Sequence, residues 1–216
     1  MDPISNSDYS FDAIRSLIAH SYGHERSFLE KSAIDSKGLE TPWFSYPAIE
    51  FLNVLDLSNF KVLEWGAGNS SVYFSRYSRE VYSIEDNDEW YQKIKNLNLR
   101  NHFVYHAQGD EYVSLALELD NEFDLVLIDG KKRKDCAKIA PKILSQTGFI
   151  ILDNADWYPE TCKELENQGF NQVDFSGLGP INSYAWTTSI FYRSQFKNFP
   201  RRTSIRPMGG LNNNSD

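Results

Sequence analysis

Cysteine is scarce: Cys136 and Cys162 are the only two, and nothing about their spacing suggests a metal site. That excludes small secreted folds held by disulfides. Long apolar runs are also missing, and no stretch approaches the roughly 20 residues a membrane-spanning helix requires. The start, Met1-Asp2-Pro3-Ile4-Ser5, has neither the basic residues nor the apolar run of a signal peptide, so a cytoplasmic protein is expected. Positive charge is in deficit. With 22 Lys and Arg against 30 Asp and Glu, the net charge of −8 argues against general binding to nucleic acid or anionic membranes. Histidine is sparse too. His20 and His24 could share a helix face as metal ligands, but Gly23 interrupts and no third ligand is near, so surface residues are expected.

What is present is enough for a core. Hydrophobic residues make up 41% of the chain and aromatics 14%, which at 216 residues suits one α/β domain with short extensions. The chain is organised around residues 60–86. An apolar run, Lys61-Val62-Leu63, breaks into Glu64-Trp65-Gly66-Ala67-Gly68-Asn69-Ser70-Ser71; a helix-like stretch and a second run, Val81-Tyr82-Ser83-Ile84, then end at Glu85-Asp86. Two glycines after a strand let backbone approach a ligand, and the following helix start offers free N–H groups to negative charge. Glu85 lies 21 residues beyond Glu64, near the offset at which a carboxylate meets a ribose hydroxyl in nucleotide-binding βαβ units.

Before this unit, Phe11, Ile14, Leu17 and Ile18 fall at helical spacing, residues 32–41 read as a polar loop, and Pro47 suits the first turn of a helix carrying Ile49, Phe51, Leu52 and Leu55. The aromatics ahead of that helix could roof a pocket or pack on the sheet; for Trp43 packing is expected. After the unit, helices are expected over Trp90 to Leu97, Tyr112 to Leu119, Lys134 to Leu144 and Cys162 to Gln168. Strands are expected over His102 to His106, Phe123 to Ile128 and Phe149 to Leu152. The runs from Phe170 to Phe175 and Ala185 to Arg193 are joined by a loop too short for a crossover, so they should pair antiparallel. The expected architecture is a doubly wound α/β fold: seven strands, five parallel and then an antiparallel pair. Its domain would cover residues 42–196, preceded by a helix-and-loop extension over 1–41 and followed by a disordered tail over 197–216.

Ligands of open parallel sheets bind beyond the carboxyl ends of the strands. Acids at several strand ends therefore converge on one cleft, and here Glu64, Glu85, Asp129 and Asp153 all end apolar runs. The stretch Glu64-Trp65-Gly66-Ala67-Gly68 resembles the first motif of class I S-adenosylmethionine-dependent methyltransferases, and Glu85 stands where that family keeps its ribose-binding acid. More narrowly, the chain is similar to a bacterial group of that family in Trp43 to Ala48, Gly66 to Ser71, Glu85 to Tyr91, Asp129 to Arg133 and Gly179 to Ser189. The resemblance covers about residues 42 to 193. It departs from the general pattern where Ser70 replaces the third glycine, and Ser71 replaces the last glycine of a dinucleotide fingerprint, which weakens a nicotinamide-dependent alternative.

The resemblance implies S-adenosylmethionine as cofactor. Glu64 would help hold its methionine end, Gly66 and Gly68 would admit its backbone contacts, and Asn69 and Ser70 would add polar contacts. Glu85 would accept from the ribose hydroxyls, and Gln108, Gly109 or Asp110 would lie beside the adenine; Asp110 could equally cap the next helix. Asp129, Asp153 and Asn154 resemble the oxygen set by which catechol-type O-methyltransferases hold Mg²⁺. The same residues also allow metal-free transfer with Asp129 as general base, or a plain turn at Asp153-Asn154. Of the basic run Lys131-Lys132-Arg133-Lys134, the pattern singles out Arg133. At the rim it could attract a phosphate, sulfate or carboxylate on the acceptor; otherwise the run is a solvated helix start. Trp157, Tyr158, Tyr184 and Trp186 could line an acceptor pocket for a planar or sugar ring, or pack at the rim. The expected activity is methyl transfer to an oxygen of a small molecule or glycan, with or without a divalent metal. A non-catalytic cofactor-binding protein is the other alternative.

Overall fold

A computed structural model describes residues 10–119, 122–196, 199–202 and 207–210. Seven strands form one sheet: β1 Lys61–Trp65, β2 Glu80–Glu85, β3 His102–His106, β4 Phe123–Ile128, β5 Leu144–Leu152, β6 Phe170–Gly177 and β7 Trp186–Arg193. Their order is β3-β2-β1-β4-β5-β7-β6, parallel from β3 to β5 and antiparallel for the last two pairings. The chain winds outward from β1 to β3 and then crosses back to β4, so the order reverses between β1 and β4. At such a point the connections after the two strands leave in opposite directions and open a crevice at the carboxyl edge.

The central strands are apolar on both faces because both are covered. Leu63, Trp65, Val126, Ile128, Ile150 and Leu152 pack with Cys136, Ala137 and Ala140 of a helix over Arg133–Ile143. The alternate residues, Val62, Leu125, Leu127, Phe149 and Ile151, pack with Phe44, Ile49, Leu52 and Phe74 on the opposite face. The helices are α1 Phe11–Ser16, α2 His24–Glu30, α3 Tyr46–Asn53, α4 Asn69–Tyr77, α5 Asp88–Lys95, α6 Glu111–Ser114, α7 Ala116–Leu119, α8 Arg133–Ile143 and α9 Pro159–Asn167. Helix α5 starts where the Asn87 side chain accepts from the Trp90 N–H at 3.0 Å. No helix among the described residues is long and apolar enough to cross a membrane.

Several local expectations need correction. Strand β5 begins at Leu144, five residues before the expected start at Phe149, and its pairing with β4 shifts register between Phe123 and Leu125. The stretch from Tyr112 to Leu119 is two short helices, α6 and α7. The loop over residues 32–41 is anchored, not merely polar: Ala33 and Ile34 are buried, and the buried Ser27 hydroxyl donates to the Ile34 carbonyl at 2.7 Å. Within the tail expected to be disordered, Phe199 packs on Phe51, Phe149 and Tyr192, Arg201 bridges to Leu55, and the Met208 N–H donates to Glu50 at 2.7 Å. An apolar ring and paired backbone are what that composition concealed. Residues 197–198, 203–206 and 211–216 of that tail, and residues 1–9 of the extension, lie outside the described residues.

Candidate active site

Strand β1 exits through Trp65 into Gly66, whose φ of +101° lies in the left-handed region open to glycine. A Cβ at Gly66 would also stand 3.2 Å from the Gly130 nitrogen, so the turn lies tight against the end of β4. Gly68 is different. Its backbone is extended, and a Cβ there would meet no protein atom within 4 Å. Neither conformation nor protein packing demands a glycine at that position; what it preserves is open space.

That space belongs to a cavity of about 390 Å³ at the carboxyl edge of the sheet. Gly66, Gly68, Asn69, Ser70, Glu85 and Asp129 line it, so six of the residues singled out in the sequence come together. Glu85 accepts from the Ala67 N–H at 2.7 Å through one oxygen and from the Asn87 N–H at 2.8 Å through the other. The acid ending β2 is thereby tied to the glycine turn after β1, and each oxygen keeps a second lone pair for a ligand hydroxyl. Three further parts of the wall were not among the site residues assigned from the sequence. Trp90 and Lys93 come from α5, with the lysine nitrogen 4.2 Å from the indole centre. Lys31, Ser32 and Ala33 come from the N-terminal extension, drawn in by Asn69, which donates to the Ser32 hydroxyl at 2.9 Å and the Ala33 carbonyl at 2.6 Å. Trp43, expected to be packing, is 47% exposed and lines this cavity.

Other expected members lie elsewhere. Glu64 points beneath α4, fully buried, and is not part of the cavity wall. It accepts from Ser70 at 2.7 Å, from Ser83 at 2.5 Å and from Ser71. Burial outweighs those three donors and pushes its pKa up to about 7. Ser83 also meets the Nε2 of His102 at 2.7 Å, and burial pushes that histidine down to about 4. Gly109 and Asp110 do not line the cavity either: the exposed Asp110 carboxylate pairs with Lys132 at 2.8 Å and makes no side-chain cap. His20 and His24 do not converge, the first facing Glu25 and the second Tyr46.

A second cavity, of about 210 Å³, adjoins the first, with Asp129 and Trp43 in the walls of both. Asp153, Asn154, Trp157, Tyr184 and Trp186 also line it, whereas Tyr158 lies under Arg133, 4.6 Å from the guanidinium. Asp153 is buried, and one of its oxygens accepts from the Trp186 indole at 3.0 Å and the Thr188 hydroxyl at 2.5 Å. Burial first, and then the Asp129 charge, hold its pKa well above the ordinary carboxylate range. Asp129 has 29% of its side chain exposed, and burial pushes it up to about 6 although Arg133 pulls the other way.

Arg133 stitches two strand ends together. It donates to the Gly130 carbonyl at 3.0 Å, the Asp129 carbonyl at 2.6 Å, the Asp129 carboxylate and the Asn154 amide oxygen at 3.1 Å each, and the Asp153 carbonyl. Those five bonds match the five N–H groups of a guanidinium. No donor remains for an anionic acceptor. Its neighbours are likewise engaged, Lys131 with Asp86, Lys132 with Asp110 and Lys134 with Glu160. The rim expected to attract a phosphate, sulfate or carboxylate is therefore a set of internal ion pairs. The same bonds bear on Mg²⁺. One Asp129 oxygen and the Asn154 amide oxygen already face one cation, the guanidinium, and one Asp153 oxygen is held by Trp186 and Thr188. This arrangement does not fit a hard dication that needs free oxygen donors. Among the described residues no three His, Cys, Asp or Glu side chains are grouped as metal ligands.

No family model matches the chain, and no curated protein matches it in sequence. Solved structures do match its shape. It is similar to a precorrin-6y C5,15-methyltransferase from Geobacter metallireducens at 17% identity and a TM-score of 0.55, over 68% of this chain and 87% of that one. It is similar to Aeropyrum pernix fibrillarin with natively bound S-adenosyl-L-methionine at 12% identity and 0.55, over 68% and 72%. A spermidine synthase from Thermotoga maritima matches at 15% and 0.52, over 78% of this chain and 59% of that one. The chain has the seven-stranded Rossmann-like fold of class I S-adenosylmethionine-dependent methyltransferases. That the fold also serves a synthase means the site, not the sheet, must carry the argument about chemistry.

Proposed function

We propose that the chain is an S-adenosylmethionine-dependent methyltransferase acting on a small molecule. One observation carries this: two adjoining cavities share the carboxylate of Asp129, the larger walled by the open Gly68 position and by Glu85, the smaller by aromatic rings. The larger volume lies within the usual range of cofactor sites. S-adenosyl-L-methionine, which the solved fibrillarin of the same fold holds, is a methyl donor consumed in the reaction and so acts as a substrate. Glu85 accepts from its ribose hydroxyls, the Gly66–Gly68 turn admits it closely, and Trp90 offers a face to its adenine. A donor in the larger cavity and an acceptor in the smaller would have Asp129, which lines both, between them.

Asp129 is the catalytic residue. A carboxylate held near pH 6 is a stronger base than an ordinary aspartate and can take the acceptor's proton as the heteroatom attacks. Arg133 and Asp153 are positioning residues: the first holds Asp129 and Asn154 at the rim, the second fixes Trp186. The oxygen acceptor was expected with or without a divalent metal. With one Asp129 oxygen held by Arg133, the other is a base that serves O–H or N–H alike, and no step is assigned to a metal.

Calorimetry with S-adenosylmethionine, then release of S-adenosylhomocysteine across an acceptor panel with and without a chelator, tests the proposal. Binding, with turnover indifferent to the chelator and lost in Asp129→Asn, is the expected result. A folded chain that fails to bind S-adenosylmethionine refutes it. Cofactor binding without turnover on any acceptor favours the non-catalytic alternative, and nicotinamide binding by absorbance favours the oxidoreductase.

A further inference from the structure

Building on that methyl-transfer function, we propose that the smaller cavity is an ammonium cage and that the acceptor is a small primary or secondary amine, methylated on nitrogen. The cavity walls include Trp43, Trp157, Tyr184 and Trp186 with the carboxyl groups of Asp129 and Asp153, and no lysine or arginine lines it among the described residues. The rings are inclined, not coplanar. Trp157 and Tyr184 lie 6.2 Å apart at 34°, and Tyr184 and Trp186 5.9 Å apart at 58°. A sugar or planar ring stacks on one flat face, whereas inclined rings surround a compact cation with several negative π faces. Trp157 and Tyr184 are about half exposed, at 54% and 48%, so each ring keeps surface open to a ligand beyond its contact with the next ring.

The charges point the same way. Every cation of the run 131–134 is already paired, Arg133 has no N–H to spare, and the chain as a whole is at −8. An anionic acceptor would face the Asp129 carboxylate, with no lysine or arginine in the described lining to meet its own charge. An ammonium group would meet Asp129 at the boundary with the donor cavity, where its proton must leave.

The step balances without another reactant. The amine enters as R–NH₃⁺ and gives one proton to the Asp129 carboxylate, freeing the nitrogen lone pair. The N–C bond forms as the donor's S–C bond breaks, that electron pair staying on sulfur. The products are a neutral thioether and a methylammonium ion, and Asp129 returns its proton to solvent.

Tetramethylammonium chloride is the probe, titrated into the whole chain by tryptophan fluorescence and calorimetry beside tert-butyl alcohol, a neutral match in shape, and sodium chloride. Saturable binding of the ammonium alone is expected, weakened about tenfold or more by Trp157→Ala and by Tyr184→Ala. Both variants remove exposed rings, so circular dichroism and S-adenosylmethionine binding should match wild type. In parallel, primary amines should release S-adenosylhomocysteine where alcohols and carboxylic acids of the same skeleton do not. Equal binding of the alcohol, no effect of either ring deletion, or turnover on alcohols alone overturns the amine assignment while leaving methyl transfer intact. Ammonium binding in a chain that does not bind S-adenosylmethionine supports the cage and overturns the methyltransferase proposal instead.

Discussion

Replacing Glu64 with glutamine separates a buried structural acid from a cofactor ligand. The carboxyl is fully buried below α4, with Ser70, Ser71 and Ser83 donating to it. Its folded pKa of about 7 exceeds the ordinary 4.5, so between those values the folded chain binds the proton that the unfolded chain has released. The contribution of this carboxyl to stability is therefore full below pH 4.5 and is lost as the pH climbs through about 7. A gap of about 2.5 units at 1.36 kcal/mol each amounts to roughly 3 kcal/mol withdrawn by mildly alkaline pH. Glutamine keeps the shape, carries no charge and does not titrate. In urea unfolding, the variant should lie within about 1 kcal/mol of wild type near pH 5 and be more stable by about 2–3 kcal/mol near pH 8.5. Asp129 and Asp153 titrate in both chains and largely cancel in the difference. A wild-type-minus-variant difference that stays constant across that range would refute the reasoning. A loss of S-adenosylmethionine affinity at unchanged stability would return Glu64 to the binding site.

Glu85→Ala should weaken S-adenosylmethionine binding by about 1–3 kcal/mol in calorimetry, since it removes the acceptor for the ribose and releases the Ala67 N–H; unchanged affinity would take Glu85 out of the site. The two glycines should behave oppositely. Gly66→Ala, at φ +101° and against Gly130, should lower thermal stability by about 1–3 kcal/mol. Gly68→Ala, with its Cβ in empty space, should leave stability within about 0.5 kcal/mol but reduce cofactor affinity. Arg133→Lys exchanges a five-bond fork for a point charge and should cost about 2–4 kcal/mol of stability by urea denaturation, with turnover falling at retained cofactor affinity.

Much of the sheet was readable along the chain because each buried strand is a short apolar run closed by a polar turn. The acids at the ends of β2, β4 and β5 were readable for the same reason. A residue just past a parallel strand has only one edge of the sheet to occupy. Glu64 shows the limit of that logic. It sits one residue before the strand's end, Trp65, and strand alternation turns it under α4, where three serines 6, 7 and 19 positions away enclose it. Lys131 to Lys134 show another. As a string they are an exposed basic run, and only the fold brings Asp86, Asp110 and Glu160 within reach of them.

The sequence by itself determined the strand–turn–helix unit, the glycines and the Glu85 that faces them, since these depend on neighbours within about 20 residues and on backbone rules that act locally. Tertiary structure alone decided what surrounds them. It brought residues 31–33 over the glycine turn, placed Trp43 beside Trp157, Tyr184 and Trp186, and committed Arg133 to two strand ends. The contacts of residues 31–33 and of Trp43 span dozens to more than a hundred positions, Arg133 reaches 20 positions to the end of β5, and no local pattern encodes which distant ring or charge will arrive. The shape and charge of the acceptor cavity are set by those arrivals.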